Sequence, residues 1–227
     1  MTIYANNFDE SKEVVSLAKA PQTSKFSLYK SMGKRVFDIA LVTFSLPFAV
    51  PLIIFMALAV ALYGGSPFYT QTRIGKNGRK FRMLKLRTMV HNADEILARY
   101  LDENVEARIE WNATQKLKND PRITKIGRFL RKTSMDELPQ IFNVLFGSMS
   151  LVGPRPMMVS QKEAYYGSAY FQMLPGITGF WQIGDRNESA FVGRVSHDEA
   201  YYREMSLATD LRVLVKTVSV VFRATGY

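Results

Sequence analysis

Two adjacent carboxylates, Asp136 and Glu137, are the residues of this sequence whose types and spacing best suit chemistry. Basic residues flank the pair on both sides in the chain, at Arg128, Arg131, Lys132 and Arg155, the last within a Gly-Pro-Arg-Pro turn. A carboxylate held among fixed cations and sharing a divalent metal can attack the phosphorus of a diphosphate whose charge would otherwise repel it. The arrangement therefore predicts a phosphate-directed site at this pair.

A short helix is predicted to position the pair. Pro139 lacks a backbone N–H and fits a first helical turn, so the helix should begin near Asp136 and end at Gly147. Apolar residues then fall on one face at helical spacing, at Leu138, Ile141, Phe142 and Leu145. A helix N-terminus favours anions, which suits phosphate chemistry. The alternative is a helix cap without chemistry, because Ser134 and Glu137 also fit a capping box.

The charge balance narrows the classes of partner. With 30 Lys and Arg against 20 Asp and Glu, the net charge of +10 predicts a polyanion: nucleic acid, an anionic membrane or a phosphorylated substrate. No nucleic-acid-binding motif is present and a long uncharged run fits that class poorly, so no nucleic acid partner is expected. The absence of Cys excludes disulfides and thiolate chemistry, and the two widely spaced histidines are assigned structural or exposed positions.

A long apolar run predicts contact with a membrane. Residues 39–62 are 24 positions without a charge, enough for a helix of about 36 Å that would cross a bilayer core. Pro47 and Pro51 predict a sharp bend in the middle, and Lys and Arg flank both ends, which places both on the cytoplasmic side. We therefore predict a re-entrant hairpin that enters one leaflet and returns. A buried hairpin of two core helices and a true membrane span are the alternatives.

The remaining chain predicts a hairpin followed by helices. Strands at 68–72 and 80–87 should flank a turn at 75–78. With one slip in register, one face of the second strand would carry Lys80, Arg82, Lys85 and Arg87; the alternative is an ordinary solvated face. One or two amphipathic helices are predicted over 92–118, another helix over 157–173, and a final pair over 189–205 and 209–223.

Taken together, these motifs resemble the bacterial sugar transferase family, monotopic phosphoglycosyl transferases that load a sugar phosphate onto a polyprenyl phosphate carrier. The resemblance centres on 130–156, where D-E-L-P-Q is followed by V-G-P-R-P, and extends over most of residues 34–226. Family-like segments also lie at 34–53, 68–89, 117–134 and 175–187.

The resemblance implies an α/β fold that is mainly α with a small β-hairpin. A mobile N-terminal tail at 1–30 would precede a membrane-embedded re-entrant helix-break-helix at 31–63. A cytoplasmic catalytic domain with interfacial amphipathic helices would occupy 64–227.

The resemblance also implies roles for particular residues. Asp136 would be the nucleophile and Glu137 the second member of a catalytic dyad, and the two would share Mg²⁺. Substrate-binding positions are implied at Lys85, Arg87, Arg131, Arg155, Gln182, Arg186 and Asp198. This chain departs from the family pattern at Leu46, where many members have Ser before the proline, and at Asp185, where relatives often have Gly.

The implied reaction moves a hexose 1-phosphate from a UDP-sugar, with UDP-galactose or UDP-glucose favoured, to undecaprenyl phosphate. It would proceed through a covalent aspartyl intermediate, release UMP and start exopolysaccharide or related glycan synthesis. The expected location is the cytoplasmic face of the bacterial inner membrane, with membrane lipid as a further partner and a homodimer left open. An N-acetylated UDP-sugar donor and a catalytically silent scaffold for polysaccharide assembly remain as alternatives.

Overall fold

The computed structural model describes residues 28–114, 117–184 and 193–222 and has a mixed α/β fold that is mostly helical. The helices are α1 Lys34–Ala61, α2 Ala93–Glu103, α3 Val105–Thr114, α4 Lys125–Lys132, α5 Gln140–Leu145, α6 Phe180–Ile183, α7 Arg194–Glu204 and α8 Leu207–Phe222. The strands are β1 Phe68–Ile74, β2 Lys80–Leu86, β3 Ser150–Val152, β4 Met157–Met158 and β5 Gly176–Thr178. Most of the predicted tail, 1–30, lies outside the described residues.

Helix α1 packs along the rest of the protein through one continuous stripe of side chains. The stripe recurs at helical spacing over the length of the helix, through Val42, Leu46, Ala49, Ile53, Met56, Ala57 and Val60. Its first part packs with Ile141 and Val144 of α5, and its last part packs with Leu86 of β2 and Leu130 of α4. Both ends of α1 therefore contact the same folded unit.

The opposite face of α1 is apolar and exposed. Its large side chains are more than half exposed at Phe44, Phe48, Phe55, Leu58 and Leu62. Within the described ranges, the 33-residue stretch Tyr29–Ala61 is the one helix with the length and composition to cross a membrane. Pro47 and Pro51 lie inside α1, which is one continuous helix where a helix-break-helix was predicted, and the re-entrant topology stays a prediction. Each proline removes a single N–H, while the packed stripe continues on both sides of it.

The predicted β-hairpin is confirmed, and its register is regular. β1 and β2 pair antiparallel along their whole length without a slip. The prediction of a single basic face is therefore wrong: Lys80 and Arg82 lie on the exposed face, and Lys85 lies on the opposite one. Arg73 of β1 pairs with Phe81, four residues from Lys85 on β2, so Arg73 shares the face of Lys85.

Two further strand pairs, which were not predicted, hold the Gly-Pro-Arg-Pro turn. β4 pairs with β1, and β3 pairs in parallel with β5. The backbones meet at glycines: a Cβ on Gly176 would lie 2.1 Å from the nitrogen of Gly153, and one on Gly179 would lie 2.0 Å from the oxygen of Gly153. Because only glycine allows such an approach, the turn is fixed against the loop that leads to α6.

The prediction of a helix over 157–173 is wrong. This segment contains β4 and short 3-10 turns at Val159–Gln161 and Ala169–Gln172. The rings of Tyr165 and Tyr170 pack with their centroids 5.5 Å apart, and the Tyr170 hydroxyl donates to the carbonyl of Ile74 at 2.6 Å. These contacts with β1 outweigh local helical preference. The helices predicted over 92–118 and after 189 are confirmed as α2, α3, α7 and α8.

Candidate active site

Asp136 and Glu137 lie in a 3-10 turn between α4 and α5. Ser134, just before the turn, has a left-handed backbone with φ of 56° and makes no capping hydrogen bond, so the predicted capping box is not formed. Helix α5 begins only at Gln140, and the predicted helix start at Asp136 is wrong. The carboxylates are therefore presented by a tight turn, and the helix N-terminus does not account for their position.

Lys85 lies close to both carboxylates. Its Nζ is 2.8 Å from Oε1 of Glu137 and 3.7 Å from Oδ2 of Asp136. Asp136 is buried, and burial raises the pKa of its carboxyl. The charge of Lys85 lowers this pKa, the charge of Glu137 raises it further, and the charge of Arg131 lowers it. The short contact of Lys85 goes to Glu137, so the oxygens of Asp136 are held less tightly by their cation.

Arg131 approaches the pair from the last turn of α4. The helix is capped by Thr124, whose Oγ1 accepts from the N–H of Gly127 at 2.9 Å. Gly127 packs so closely on Thr88 that a Cβ there would lie 2.0 Å from the Thr88 carbonyl oxygen. Thr88 in turn accepts from Nε of Arg131 at 2.8 Å. Burial lowers the pKa of Arg131 and the charge of Asp136 opposes this, which places the guanidinium within electrostatic reach of the carboxylate.

Arg155 stands in the turn between β3 and β4, and its guanidinium carbon lies 5.5 Å from the ring centre of Trp181. A narrow cavity separates this turn from the hairpin and from the acidic turn. Its lining includes Arg73, Met83, Lys85, Glu137, Gln140 and Arg155. The structure thus brings Arg155, Lys85 and Glu137 to one cavity, although they are far apart in the sequence.

Arg73 lines the same cavity and was not identified from the sequence. Its Nη1 donates to the carbonyl of Pro156 at 3.1 Å, and its Nη2 donates to Oε1 of Gln71 at 2.6 Å. Burial, and after it the charge of Arg155, lower the pKa of Arg73 to about 10. The signal was in the hairpin register, because an unslipped pairing puts Arg73 on the same face as Lys85.

Asp198 is buried on α7, where its Oδ2 accepts from the Tyr165 hydroxyl at 2.8 Å. Burial raises the pKa of Asp198 to about 7, against the hydrogen bond from Tyr165 and the charge of Arg194. Arg194, one turn earlier on α7, lies over Trp181 with its guanidinium carbon 4.3 Å from the ring centre. Asp198 is therefore linked to the site through Arg194, a second residue that was not identified from the sequence.

The remaining predicted positions differ in their surroundings. Gln182 is buried, and neither atom of its amide has a hydrogen-bond partner in the described part of the chain. An amide in that state usually meets water or a ligand. The guanidinium of Arg87 contacts the imidazole of His91, and Arg186 lies outside the described residues. Two basic residues close to the pair in sequence are exposed, Arg128 and Lys132.

The acidic turn provides a partial set of metal ligands. Within 28–114, 117–184 and 193–222, no group of three or more acidic or histidine side chains could hold a metal. Mg²⁺ in phosphate-handling enzymes is usually bound by one or two carboxylates, with substrate phosphates and water completing the octahedron. Asp136 and Glu137 therefore fit a metal that is shared with a diphosphate ligand.

Comparison with known proteins identifies a family and individual chains that are similar to this one in sequence. A model of the bacterial sugar transferase family matches residues 29–224. The UDP-galactose-lipid carrier transferase of Erwinia amylovora is 43% identical over 95% of this chain and 45% of its own length. The exopolysaccharide production protein ExoY of Rhizobium meliloti is 44% identical over 86% of this chain and 88% of its own length.

A third relative is the UDP-glucose:undecaprenyl-phosphate glucose-1-phosphate transferase of Escherichia coli. It is 40% identical over 82% of this chain and 39% of its own length. The chain thus spans less than half of the Erwinia and Escherichia proteins and most of ExoY.

Proposed function

Because this chain belongs to the bacterial sugar transferase family, we propose that it is a phosphoglycosyl transferase that moves a hexose 1-phosphate from a UDP-sugar to undecaprenyl phosphate. The relatives named for UDP-galactose and UDP-glucose support these two donors. The name of ExoY supports a role in exopolysaccharide production, and we place the proposed reaction at its start.

The observation that carries this proposal is the buried Asp136 beside Lys85, which itself lines the cavity with Glu137 and Arg155. A carboxylate with a burial-raised pKa and a loosely held cation is a reactive nucleophile. The cations around it can accept the charge of a diphosphate, which makes this site better suited to phosphoryl transfer than to a purely structural role.

In the first step, a carboxylate oxygen of Asp136 attacks the phosphorus that bears the sugar. The bond from phosphorus to Asp136 forms as the bridging P–O bond breaks, and the electron pair leaves with UMP. In the second step, an oxygen of undecaprenyl phosphate attacks the same phosphorus, and the bond to Asp136 breaks to restore the carboxylate. Neither step needs a net proton, because UMP leaves and the lipid phosphate attacks as dianions. The covalent intermediate lets a soluble and a lipid substrate use one pocket in turn.

The surrounding residues divide the work of charge neutralisation. Lys85 and Arg131, which act on Asp136, would hold the transferred phosphate, and Arg155 would hold the rest of the diphosphate. Asp136 and Glu137 would bind Mg²⁺, which supplies positive charge to the diphosphate when present. The amide of Gln182, which has no hydrogen-bond partner among the described residues, suits a contact with the sugar or the nucleotide.

We further propose that α1 enters the membrane from the cytoplasmic face and does not cross it. Both ends of α1 pack on the same folded unit, which favours insertion from one side. The exposed apolar face, with Phe44, Phe48 and Phe55, would meet lipid, and the basic residues at both ends favour the cytoplasmic side of a bacterial inner membrane. This placement would bring the lipid-borne acceptor to the cavity.

UMP release by the full chain tests the proposal. The protein is purified in detergent and assayed with Mg²⁺ and undecaprenyl phosphate across UDP-galactose, UDP-glucose and N-acetylated UDP-sugars. Release with UDP-galactose or UDP-glucose is expected, and its loss on metal chelation would support the role of Mg²⁺. Release with an N-acetylated UDP-sugar alone would show that this sugar, and not UDP-galactose or UDP-glucose, is the donor. Silence across the panel, with lipid and metal present, would favour a catalytically silent scaffold.

A further inference from the structure

Three guanidiniums from separate elements converge around the Gly-Pro-Arg-Pro turn. Arg155 and Arg194 both lie over the ring of Trp181, at 5.5 and 4.3 Å from its centre. Arg73 contacts the same turn from β1, through its hydrogen bond to the carbonyl of Pro156. Burial, followed by the charge of Arg155, lowers the pKa values of both Arg73 and Arg194 to about 10, so the three charges are close enough to repel one another.

Two carboxylates among the described residues oppose this repulsion. Asp198 acts on Arg194, and Glu137 acts on Arg73, but Glu137 also makes the 2.8 Å contact with Lys85. Mutual repulsion of buried cations raises the free energy of the empty site and is relieved when an anion binds among them. The arginine cluster, defined as Arg73, Arg155 and Arg194, therefore has the charge of an anion-binding site.

Arg73 also has one donor that makes no hydrogen bond within the described part of the chain. Its two terminal nitrogens donate to Pro156 and Gln71, whereas its Nε is buried and has no hydrogen-bond partner among the described residues. A buried donor left unpaired is costly. Since Arg73 lines the cavity with Lys85 and Glu137, a ligand oxygen in that cavity is the natural partner for this side chain.

We propose that Arg73 and Arg194, together with Arg155, bind the phosphate that leaves with the nucleotide. The inference rests on the proposed function and assigns to its first step two residues that lie outside the acidic turn and the Gly-Pro-Arg-Pro turn. The ligand chemistry is a phosphate monoester dianion, which forked guanidinium donors match better than lysines do.

The position of Asp136 decides which phosphate this is. Asp136 attacks the phosphorus that bears the sugar, so that phosphate lies with Lys85 and Arg131, the cations that act on Asp136. The second phosphate of the same diphosphate is one bridging oxygen away. Glu137 lies between the two groups of cations, because it pairs with Lys85 and its charge also acts on Arg73. The two groups are therefore neighbours, as are the two phosphates of one diphosphate.

Binding of a nucleotide with and without its phosphate tests the assignment. Ligand-observed ¹⁹F NMR on the detergent-purified full chain gives dissociation constants for 5-fluoro-UMP and 5-fluorouridine. The ratio of the two constants isolates the phosphate contribution. In the parent protein 5-fluoro-UMP should bind at least about a hundredfold more tightly, because two or more charge-assisted hydrogen bonds of about tenfold each contribute. Arg73→Gln and Arg194→Gln should each reduce this ratio by about tenfold or more.

The control is Arg82→Gln, which removes the same charge from the exposed face of the same hairpin and should leave the ratio unchanged. A merely structural role for Arg73 would weaken both ligands together and keep the ratio, which would overturn the proposal. If Arg73→Gln does not fold, Arg194→Gln and the charge-preserving Arg73→Lys keep the test decisive. Arg73→Lys should reduce the ratio of the two dissociation constants by less than is expected for Arg73→Gln. An equal affinity of the parent protein for both ligands would also overturn it.

Three further outcomes separate this inference from the proposed function. If the parent protein releases UMP from a UDP-sugar but neither variant changes the ratio, the arginine assignment fails alone. If the variants change only the KM for undecaprenyl phosphate, the assignment to the nucleotide is likewise overturned. If the parent protein releases no UMP from any donor, the proposed function itself fails.

Discussion

Two groups in this protein each contain two carboxylates and one lysine but differ in how their aspartates are hydrogen-bonded. One is the acidic turn with Asp136, Glu137 and Lys85. The other joins α1 to α8 through Lys34, Asp38 and Asp210. The comparison shows that composition alone does not mark a reactive carboxylate.

The second group, which we call the closed network, satisfies its carboxylates with short contacts. Asp210 accepts from Tyr29 at 2.6 Å, from Tyr201 at 2.7 Å and from Lys34 at 2.7 Å. Asp38 accepts from Ser150 at 2.7 Å and from the backbone N–H of Leu151 at 3.3 Å. Both carboxylates are fully buried, so these bonds hold α1 against β3 and α8.

The acidic turn differs because its lysine lies farther from Asp136, which Arg131 and a backbone N–H also stabilise, and because the turn adjoins a cavity. Lys85 stays 3.7 Å from Asp136 and lines the cavity together with Glu137. A carboxylate that is buried but poorly satisfied stores free energy that can be released in a reaction, whereas a fully bonded carboxylate stabilises the fold. The distances from the hydrogen-bond donors to the aspartates therefore distinguish the acidic turn, the proposed chemical site, from the closed network.

The largest expected effect comes from removing the reactive carboxylate. Asp136→Asn should lower UMP release by about a thousandfold or more, because the proposed nucleophile is lost. The denaturation midpoint should stay the same or rise, since burial disfavours the charge that is removed. Activity within tenfold of that of the parent protein would show that Asp136 is not the nucleophile.

The converse effect is expected in the closed network. Lys34→Met would leave Asp38 and Asp210 buried without their shared cation and should cost about 3 to 5 kcal/mol of unfolding free energy, measured by denaturant titration in detergent. UMP release per folded molecule should remain within about tenfold. Lys80→Met, on the exposed face of β2, is the matched control and should change little. A loss of activity without a loss of stability would contradict the structural assignment.

A smaller effect is expected at Asp198, which is buried with a hydrogen bond on one oxygen. Because its pKa rises to about 7 in the folded protein, the folded state keeps a proton that the unfolded chain releases from about pH 4 upward. Its contribution to stability should fall as pH rises from about 4 to 7 and change no further above that. The difference between parent and Asp198→Asn midpoints across this range isolates the effect, which should be a few degrees.

Asp102→Asn provides the control for that titration. Asp102 pairs with Arg108 at an exposed position on α2, and its side chain is 78% exposed. Its removal should leave the slope of midpoint against pH unchanged. A slope in Asp198→Asn equal to that of the parent protein would show that Asp198 ionises normally.

Much of the site follows from local pattern. The alternation and turn residues of 68–87 predict the hairpin, and the spacing of Leu138, Ile141, Phe142 and Leu145 predicts the packed face beside the acidic turn, all four of which join one core cluster. The sequence resemblance predicts the family. These features depend on neighbours in the chain, so periodicity and turn chemistry suffice to find them.

What could not be predicted depends on contacts between distant segments. Helix α5 begins only at Gln140, after a 3-10 turn that follows the left-handed Ser134, and the capping-box pattern does not anticipate this turn. The irregular 157–173 segment is set by packing of Tyr170 on β1, and Arg194 enters the site only because α7 lies against Trp181. Such tertiary contacts override local preference and leave no short-range signal. Arg73 is an exception, because an unslipped register of the predicted hairpin would have placed it on the face of Lys85.

The most direct test of the account is to trap the covalent intermediate. The full chain is incubated with Mg²⁺ and its active UDP-hexose in the absence of undecaprenyl phosphate, and intact and peptide masses are measured. The account predicts a gain of one hexose phosphate, mapped to Asp136, absent from Asp136→Asn and lost when undecaprenyl phosphate is added. A hexose phosphate on another residue, or turnover that never yields an adduct even under rapid quenching, would contradict it.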